Sequence, residues 1–284
     1  MNLEKRIRIV PYEKVDAGFS MAIDNVLLNM MENDIEEGKS VDPVLRIYSF
    51  SSPTVVLGYN QKIEGRFNQS LAIKKRVNLT IRDSGGGHMY FSPEDVHFSF
   101  ISPGKGFYAG FDLIARYHEI NSVISQALKN LGYNSVLGKT SIRLEGDPER
   151  FVAGTAIRQK NNAYLHQGGI LINDYDNEVF SLLMARPDEI EKWKTQVTSL
   201  KKNGDKNILK LPEMIISNFK NYYLKPLTRE EESYAQLLDK ERYSNYEVIL
   251  SGTKEGDICL IAGEKSDKNK EERVNAWNEY GWCA

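Results

Sequence analysis

Two long stretches of the chain carry apolar residues at helical spacing. In residues 16–34 the apolar positions recur every three or four residues and form one broad face, which predicts a helix. Residues 112–133 show the same period and end at Gly132, a residue that commonly stops a helix. Shorter helices are predicted over 177–185, 211–223 and 227–243. Thr228 is the predicted N-cap of the last one, and Glu231 completes a capping box.

Most of the remaining apolar segments alternate with polar residues or are rich in β-branched and aromatic residues, which predicts strands. The predicted strands span residues 5–13, 43–50, 53–60, 77–83, 89–93, 96–103, 141–146, 150–159 and 163–173. We expect the strands at 89–93 and 96–103 to flank a short turn, and 246–252 to form a terminal hairpin with 257–263. Because helices and strands interleave without regular βαβ repetition, the sequence predicts an α+β fold with a mixed or mostly antiparallel sheet.

The charge balance and the cysteine content narrow the classes of function. The 284-residue chain has 37 lysine and arginine residues against 39 aspartate and glutamate residues, a formal net charge of −2. Dedicated nucleic-acid binders usually carry a basic excess, so no nucleic-acid partner is expected. Cys259 and Cys283 are too few for a disulfide framework and resemble no zinc site. Since no transmembrane or signal segment is recognisable, we expect a cytoplasmic protein without a membrane partner.

A run of three glycines stands out within the predicted strands. Residues 84–87 read Ser-Gly-Gly-Gly and follow Arg82. Glycines allow a backbone to approach a ligand closely, and their amide groups can form an anion-binding nest. Arg82 would add a guanidinium for a phosphate or a carboxylate. The spacing matches neither common phosphate-binding motif, so a ligand-contacting loop and a glycine-rich turn or bulge both remain open.

A second glycine element lies about seventy residues further along the chain. Gly154 interrupts an apolar strand, and Gly168 follows His166 by two residues in the next strand. A buried, hydrogen-bonded histidine and a ligand contact are equally compatible with the sequence around His166. We expect the two glycine elements to line one cleft.

Several motifs occur in the order found in a known superfamily. These are "DAGFSMAIDNVLL" at 16–28, "LRIYSFSSPTVVLGYNQ" at 45–61, "RDSGGGHMYFSPEDVHFSF" at 82–100 and "VAGTAIRQKNNAYLHQGGILINDYD" at 152–176. They resemble successive segments of the biotin/lipoate protein ligase and octanoyltransferase superfamily, in particular its lipoate–protein ligase A-like branch. The resemblance covers roughly residues 10–245. It implies a class II aminoacyl-tRNA synthetase-like catalytic domain over 1–245, followed at 246–284 by an extension too short for the full accessory domain of such ligases.

The resemblance also implies a reaction. Such ligases use ATP and Mg²⁺ to convert lipoate or octanoate into an acyl-adenylate, which a lysine of a lipoyl-acceptor domain then attacks. The acceptor would be a glycine cleavage H protein or the E2 component of a 2-oxoacid dehydrogenase. Because the C-terminal extension is short, the resemblance also points to dependence on a separate accessory ligase subunit.

The family's site residues can be carried over only where the motifs match. The substrate and ATP contacts expected from the first glycine element are Arg82, Ser84, Gly85, Gly86, Gly87 and His88. Those expected from the second element are Phe151, Gly154, Thr155, Ala156, His166 and Gly168. Asp174 falls near a later acidic position of the family and is a candidate metal ligand.

One departure from the family bears directly on activity. Most members carry a lysine at the position of Phe151. Arg150, rotated inward by a bulge, or Lys139 from a neighbouring loop is the candidate substitute for that lysine. The cysteine that a thioester mechanism needs in one branch is replaced by Ala153. Two alternatives to an active ligase therefore stay open: a non-catalytic protein that binds an acyl group or adenylate, and a lipoyl or octanoyl transferase with altered chemistry.

Overall fold

The computed structural model describes residues 6–61, 67–104, 113–175, 179, 187–204 and 207–251. The strands are β1 (Ile7–Val15), β2 (Val44–Phe50), β3 (Thr54–Leu57), β4 (Asn78–Ile81), β5 (Met89–Phe91), β6 (Val96–Pro103), β7 (Ser135–Leu137), β8 (Ser141–Leu144), β9 (Asp147–Gln159), β10 (Ala163–Ile170) and β11 (Tyr222–Leu224). The α-helices are α1 (Ala17–Glu36), α2 (Gln69–Lys75), α3 (Leu113–Asn130), α4 (Pro187–Gln196), α5 (Leu211–Ile216), α6 (Arg229–Leu238) and α7 (Tyr246–Ser251). A π-helical turn, Asp239–Tyr243, joins α6 to the segment before α7.

Two sheets make up the β-structure of the described residues. The large sheet has the strand order β11-β1-β2-β6-β10-β9-β8-β7, and the small one has the order β4-β3-β5. In the large sheet β1 runs parallel to both of its neighbours, whereas the pairs from β2 to β7 are antiparallel. The predicted α+β class with a mixed, mostly antiparallel sheet is therefore confirmed.

Each face of the large sheet is covered by a separate apolar core. On one face, α1 and the small sheet contribute Val26, Leu28 and Val55 to a core that also contains Phe50 of β2. On the other face, α3 and α5 pack their apolar sides against the alternate residues of the same strands. This division places the small sheet, with the glycine run that follows β4, on the α1 side of the molecule.

The strands β5 and β6 flank a short turn, as expected, but they do not pair with each other. They belong to different sheets, because β5 pairs with β3 while β6 lies between β2 and β10. The carboxylate of Asp95 stabilises the turn at which the chain passes from the small sheet to the large one. It accepts hydrogen bonds from the amide N–H groups of Ser92 and Ile172, both at 2.7 Å. The turn is thereby tied to the chain that leaves β10 instead of closing a hairpin.

The C-terminal part of the described chain departs from two expectations. The helix predicted over 211–223 ends at Ile216, and β11 then pairs in parallel with β1. The strand predicted over 246–252 is instead the helix α7, whose first turn is capped by the side-chain oxygen of Asn245. The predicted partner strand 257–263, both cysteines and, except for Val179, the helix predicted over 177–185 lie outside the described residues. The division into 1–245 and 246–284 stays a prediction.

The capping box of α6 is confirmed and has a second role. The side chain of Thr228 accepts from the amide of Glu231, and the Glu231 carboxylate accepts from the amide of Thr228. The same carboxylate receives a bidentate, buried ion pair from Arg8 of β1, with N–O distances of 2.5 and 2.7 Å. One local sequence signal therefore also fixes α6 against the edge of the large sheet.

A buried carboxylate joins four parts of the fold directly below the glycine run. Asp83 accepts hydrogen bonds from Asn25 of α1 at 2.7 Å and from Tyr243 at 2.6 Å, and it forms ion pairs with Arg242 at 3.1 Å and Arg158 at 3.3 Å. Burial opposes the charge on Asp83, but the two guanidinium groups and the hydrogen bonds outweigh it, so the pKa of Asp83 is lowered.

Replacing this carboxylate tests its structural role. We expect Asp83→Asn to lower the free energy of unfolding by about 3–5 kcal/mol, because the buried Arg242 guanidinium loses its counter-charge. Urea unfolding at pH 7 measures the loss. Asp34→Asn is the matched control, since Asp34 pairs with Lys39 at the surface and should contribute less than about 1 kcal/mol. Equal stability of the two variants would contradict the role assigned to Asp83.

Candidate active site

The two glycine elements of the sequence line one cleft of about 850 Å³. Gly86 and Gly87 contribute from the first element, and Gly154 and Gly168 from the second. The cleft lies on the α1 side of the large sheet, between that sheet and the small one. Since the two elements belong to different sheets, the packing of the sheets against each other creates the site.

The guanidinium of Arg82 shapes the glycine loop from within. Its Nε donates to Ser84 Oγ at 3.2 Å, and its Nη2 donates to the carbonyl oxygens of Gly85 and Gly87, each at 2.7 Å. Burial lowers the pKa of Arg82 to about 10. Arg82 lines the cleft as the sequence predicts, and most of its hydrogen-bonding capacity is directed to the loop backbone.

Holding the loop carbonyls inward leaves the loop amides available. Within the described structure, the N–H groups of Gly85, Gly86 and Gly87 donate no hydrogen bond. Gly86 has a φ of 95°, a conformation that side chains disfavour. Gly58, at the end of β3, approaches so closely that a Cβ there would lie 2.1 Å from the Gly86 carbonyl oxygen. The loop thus presents a row of unpaired amide donors, the arrangement that binds anions.

The deeper part of the cleft is aromatic. His97 of β6 lies against Phe50 and Tyr48 of β2, with ring centroids 4.0 and 5.4 Å away, and against Phe91 at 4.5 Å. Burial lowers the pKa of His97 to about 3, so its imidazole is neutral. Gly169 lets these rings pack against the backbone, because a Cβ there would lie 2.3 Å from Phe91. This floor suits an apolar chain better than an ionic group.

A buried polar group borders the aromatic floor. Gln167 of β10 lines the cleft, and its Nε2 donates to the Asp24 carboxylate at 3.3 Å. Asp24 also binds the guanidinium of Arg46 and the hydroxyl of Ser99. Burial raises the pKa of Asp24 despite the opposing charge of Arg46. This cluster fixes the orientation of Gln167, whose Oε1 is buried without a hydrogen-bond partner.

Strand β9 supplies the opposite wall. Phe151, Gly154, Thr155 and Ala156 line the cleft, as the sequence predicts. The ring of Trp193, on α4, packs edge-on against Phe151 at 6.5 Å. The imidazole of His88, from the glycine loop, lies 6.2 Å from the same indole between ring centroids. The mouth of the cleft around Phe151 is therefore aromatic.

Several predicted site residues do not line the cleft. Ser84 is buried beneath the loop, and His166 points toward the α3 side of the sheet, between the rings of Phe98 and Tyr117. Lys139 is exposed in the loop between β7 and β8.

The two remaining candidates lie in a separate hollow. Arg150 forms an ion pair with Asp147 at 2.6 Å and lines a hollow of about 290 Å³. The predicted bulges do occur where β9 pairs with β8, but they do not turn Arg150 into the main cleft. Asp174 borders the same hollow and accepts a hydrogen bond from Ser199 at 2.7 Å. Within the described ranges, no group of three His, Cys, Asp or Glu residues is arranged to hold a metal ion.

The cleft also contains residues that the sequence did not single out as site residues, among them His97, Gln167, Trp193 and Arg143. Gln167 stands inside a recognised motif, so its motif position was an available signal. Arg143 carried no such signal, because its place depends on the pairing of β8 with β9, in which it lies opposite Phe151.

Comparison with known proteins agrees with this geometry. Residues 16–227 match the family model of the lipoyl protein ligase A/B catalytic domain. The chain is 24% identical over 229 residues to lipoate–protein ligase 1 of Staphylococcus aureus, covering 80% of this chain and 67% of that protein. It is 22% identical over 268 residues to the octanoyltransferase LipM of Oceanobacillus iheyensis, covering 86% and 93%.

A solved structure shows the same fold. A chain from the bipartite lipoate protein ligase and E2 lipoyl domain system of Thermoplasma acidophilum superimposes with a TM-score of 0.74 at 19% identity, covering 88% of this chain and 98% of that one. The protein therefore belongs to the lipoyl protein ligase A/B catalytic-domain family, and it has the predicted class II aminoacyl-tRNA synthetase-like fold. No helix among the described residues is long and apolar enough to cross a bilayer.

The close approach of Gly58 to the glycine loop can be tested by substitution. We expect Gly58→Ala to displace Gly86 and to destabilise the fold by about 1–3 kcal/mol, the usual range for overpacking. Gly85→Ala is the control, because nothing lies within 4 Å of a Cβ at that position. Thermal and urea unfolding of both variants measure the difference. A Gly58→Ala variant as stable as Gly85→Ala would show that the loop yields freely.

His166 should make the fold sensitive to acid. Burial lowers the pKa of His166 to about 3, whereas the unfolded chain protonates it near 6.5. Below pH 6.5 the unfolded chain binds a proton at His166 that the folded protein does not bind. The free energy of unfolding therefore falls as the pH falls. Between pH 7 and 5 the wild type should lose about 2 kcal/mol more unfolding free energy than His166→Leu. Urea unfolding at both pH values measures this, and parallel losses would refute a neutral buried imidazole.

Proposed function

We propose that the protein is a lipoate–protein ligase that activates lipoate, or octanoate, with ATP and Mg²⁺ and transfers the acyl group to a lysine of a lipoyl-acceptor domain. The observation that carries the proposal is the pairing of two unlike surfaces in one cleft. The loop amides of Gly86 and Gly87, which have no partner among the described residues, adjoin the aromatic floor around His97. One part suits an anion and the other an apolar chain, which are the two ends of such an acyl-adenylate.

Two steps follow from this arrangement. The acid's carboxylate attacks the α-phosphorus of ATP, and pyrophosphate leaves. The acceptor's lysine amine then attacks the acyl carbonyl, and AMP leaves. The loop amides would stabilise negative charge on the phosphate in both steps, while the apolar floor holds the chain in one position. Mg²⁺ would neutralise charge on the ATP phosphates.

The acceptor and the accessory chain belong to the same proposal. The acceptor would be an H-protein or E2-type lipoyl domain in the cytoplasm. The system of Thermoplasma acidophilum, described as a bipartite ligase with its E2 lipoyl domain, supports both an acceptor of this kind and a separate ligase subunit.

A transferase without ATP is the competing function. The similarity to the octanoyltransferase LipM of Oceanobacillus iheyensis favours it, since the matched segment covers 93% of that protein. A covalent thioester route needs a nucleophilic thiol, and the described part of the chain contains no cysteine. Ala153, next to Gly154, occupies the position of the nucleophile in one branch.

The decisive assay measures the mass of the acceptor. The purified full-length protein is incubated with ATP, Mg²⁺, lipoate and an H protein or an E2 lipoyl domain, with and without a candidate accessory chain. We expect the acceptor to gain one lipoyl group and AMP to form in equal amount. An acceptor whose target lysine is replaced by arginine should gain nothing.

The other outcomes separate the alternatives. Transfer from an octanoyl thioester in the absence of ATP would replace the ligase by the transferase. Binding of lipoate or its adenylate by calorimetry, without transfer under any of these conditions, would identify a non-catalytic binding protein. Absence of both binding and transfer would refute all three assignments.

A further inference from the structure

Two arginines line the cleft, and they differ in what their guanidinium groups bind. Arg82 donates to Ser84 Oγ and to the carbonyl oxygens of Gly85 and Gly87. Its charge is therefore embedded in the loop backbone. Arg143 makes one hydrogen bond, from Nη1 to the Pro148 carbonyl oxygen at 2.6 Å.

Arg143 has no anionic partner among the described residues. Its Nε is buried and donates no hydrogen bond, and no described carboxylate lies within ion-pair distance of it. A guanidinium presents five N–H groups in a fixed fork that matches a carboxylate or a phosphate. The Nη2 of Arg143 donates no hydrogen bond to the described residues either and is not among the buried atoms, so a ligand in the cleft can supply its acceptor.

The sheet register aims this side chain at the cleft. Arg143 of β8 lies directly opposite Phe151 of β9, and directly opposite residues of an antiparallel pair share one face of the sheet. Thr140, just before β8, is fixed next to the site because its carbonyl oxygen accepts from the amide of Thr155 at 3.0 Å. Thr140 and Ser141, which precede Arg143 in the chain, thus line the same wall as Phe151 and Thr155.

We propose that Arg143 is a catalytic residue that binds the carboxylate of the acyl substrate and, after activation, the phosphate joined to it. The proposal rests on the proposed function and gives a role to a guanidinium that has no anionic partner among the described residues. Phe151 stands where the related ligases have a lysine, and the charge here comes from the neighbouring strand. The two alternatives suggested by the sequence lie elsewhere, since Arg150 pairs with Asp147 and Lys139 is exposed outside the cleft.

The test compares a charged ligand with its neutral amide. Calorimetry measures the affinity of the full-length protein for lipoate and lipoamide, and for octanoate and octanamide as a second pair. We expect Arg143→Ala to weaken binding of the acids by about 10- to 100-fold, the loss typical of a charge-assisted hydrogen bond, and binding of the amides by less than about 3-fold. Arg143→Lys should lie between the wild type and Arg143→Ala.

Matched variants separate binding from folding. Arg150→Ala removes the same charge seven residues away and should leave the acid-to-amide ratio at the wild-type value, as should Lys139→Ala. Unfolding in urea checks that Arg143→Ala and Arg143→Gln are folded. In the acceptor assay, Arg143→Ala should lower acyl transfer at least 10-fold, whereas Arg150→Ala should not.

Each remaining outcome is informative. Equal weakening of acids and amides would assign Arg143 a structural role and overturn the proposal. An unchanged ratio in Arg143→Ala, or a changed ratio in Arg150→Ala or Lys139→Ala, would also overturn it. If the wild type transfers lipoate while Arg143→Ala is fully active, the proposed function stands and this inference fails. If the wild type neither binds these ligands nor transfers lipoate, both fail.

Discussion

The cleft depends on one buried charge, that of Asp83. An isolated carboxylate at this depth would be protonated or would unfold its surroundings. Two guanidinium groups, a tyrosine hydroxyl and an asparagine amide keep it ionised, and they come from α1, β9 and the turn after α6. Residues distant in sequence are therefore held together by the requirement that one carboxylate be neutralised. The π-helical turn Asp239–Tyr243 contributes two of these partners, Arg242 and Tyr243, although it does not line the cleft.

Asp83 and Arg82 have separate structural roles beside the glycine loop. Neighbouring residues in extended chain point to opposite sides, so Asp83 enters the core while Arg82 reaches the loop. Arg82 draws the carbonyl oxygens of Gly85 and Gly87 toward itself, and the loop amides are thereby left unpaired. The surface proposed to bind an anion is then built from backbone groups, and a side-chain charge acts indirectly by orienting them. The six-residue motif "RDSGGG" therefore contains the glycine loop, the arginine that orients its carbonyl groups and the aspartate that fixes it to the core.

Local signals in the sequence predicted the elements well where one segment determines its own structure. The capping box at Thr228 and the apolar face of α1 are examples, since both depend on residues within a few turns of each other. The signals failed where a distant residue decides. The helix predicted over 211–223 ends at Ile216, because the chain that follows pairs as β11 with the distant strand β1. The site followed the same rule, because glycine motifs were recognisable while the position of Arg143 depends on strand register.

Arg143 and Phe151 lie opposite each other on neighbouring strands, and the role proposed for Arg143 depends on that placement. A cleft recognises an anion through the place of a positive charge, and cross-strand neighbours on one face lie only about 5 Å apart at Cβ. A long arginine side chain spans that distance, so a charge can move from one strand to the next while the ligand keeps its position. The strand that loses the charge can then take an aromatic residue, which here packs against Trp193 and narrows the mouth. Motif comparison along a single strand reads Phe151 alone, whereas the sheet places Arg143 beside it.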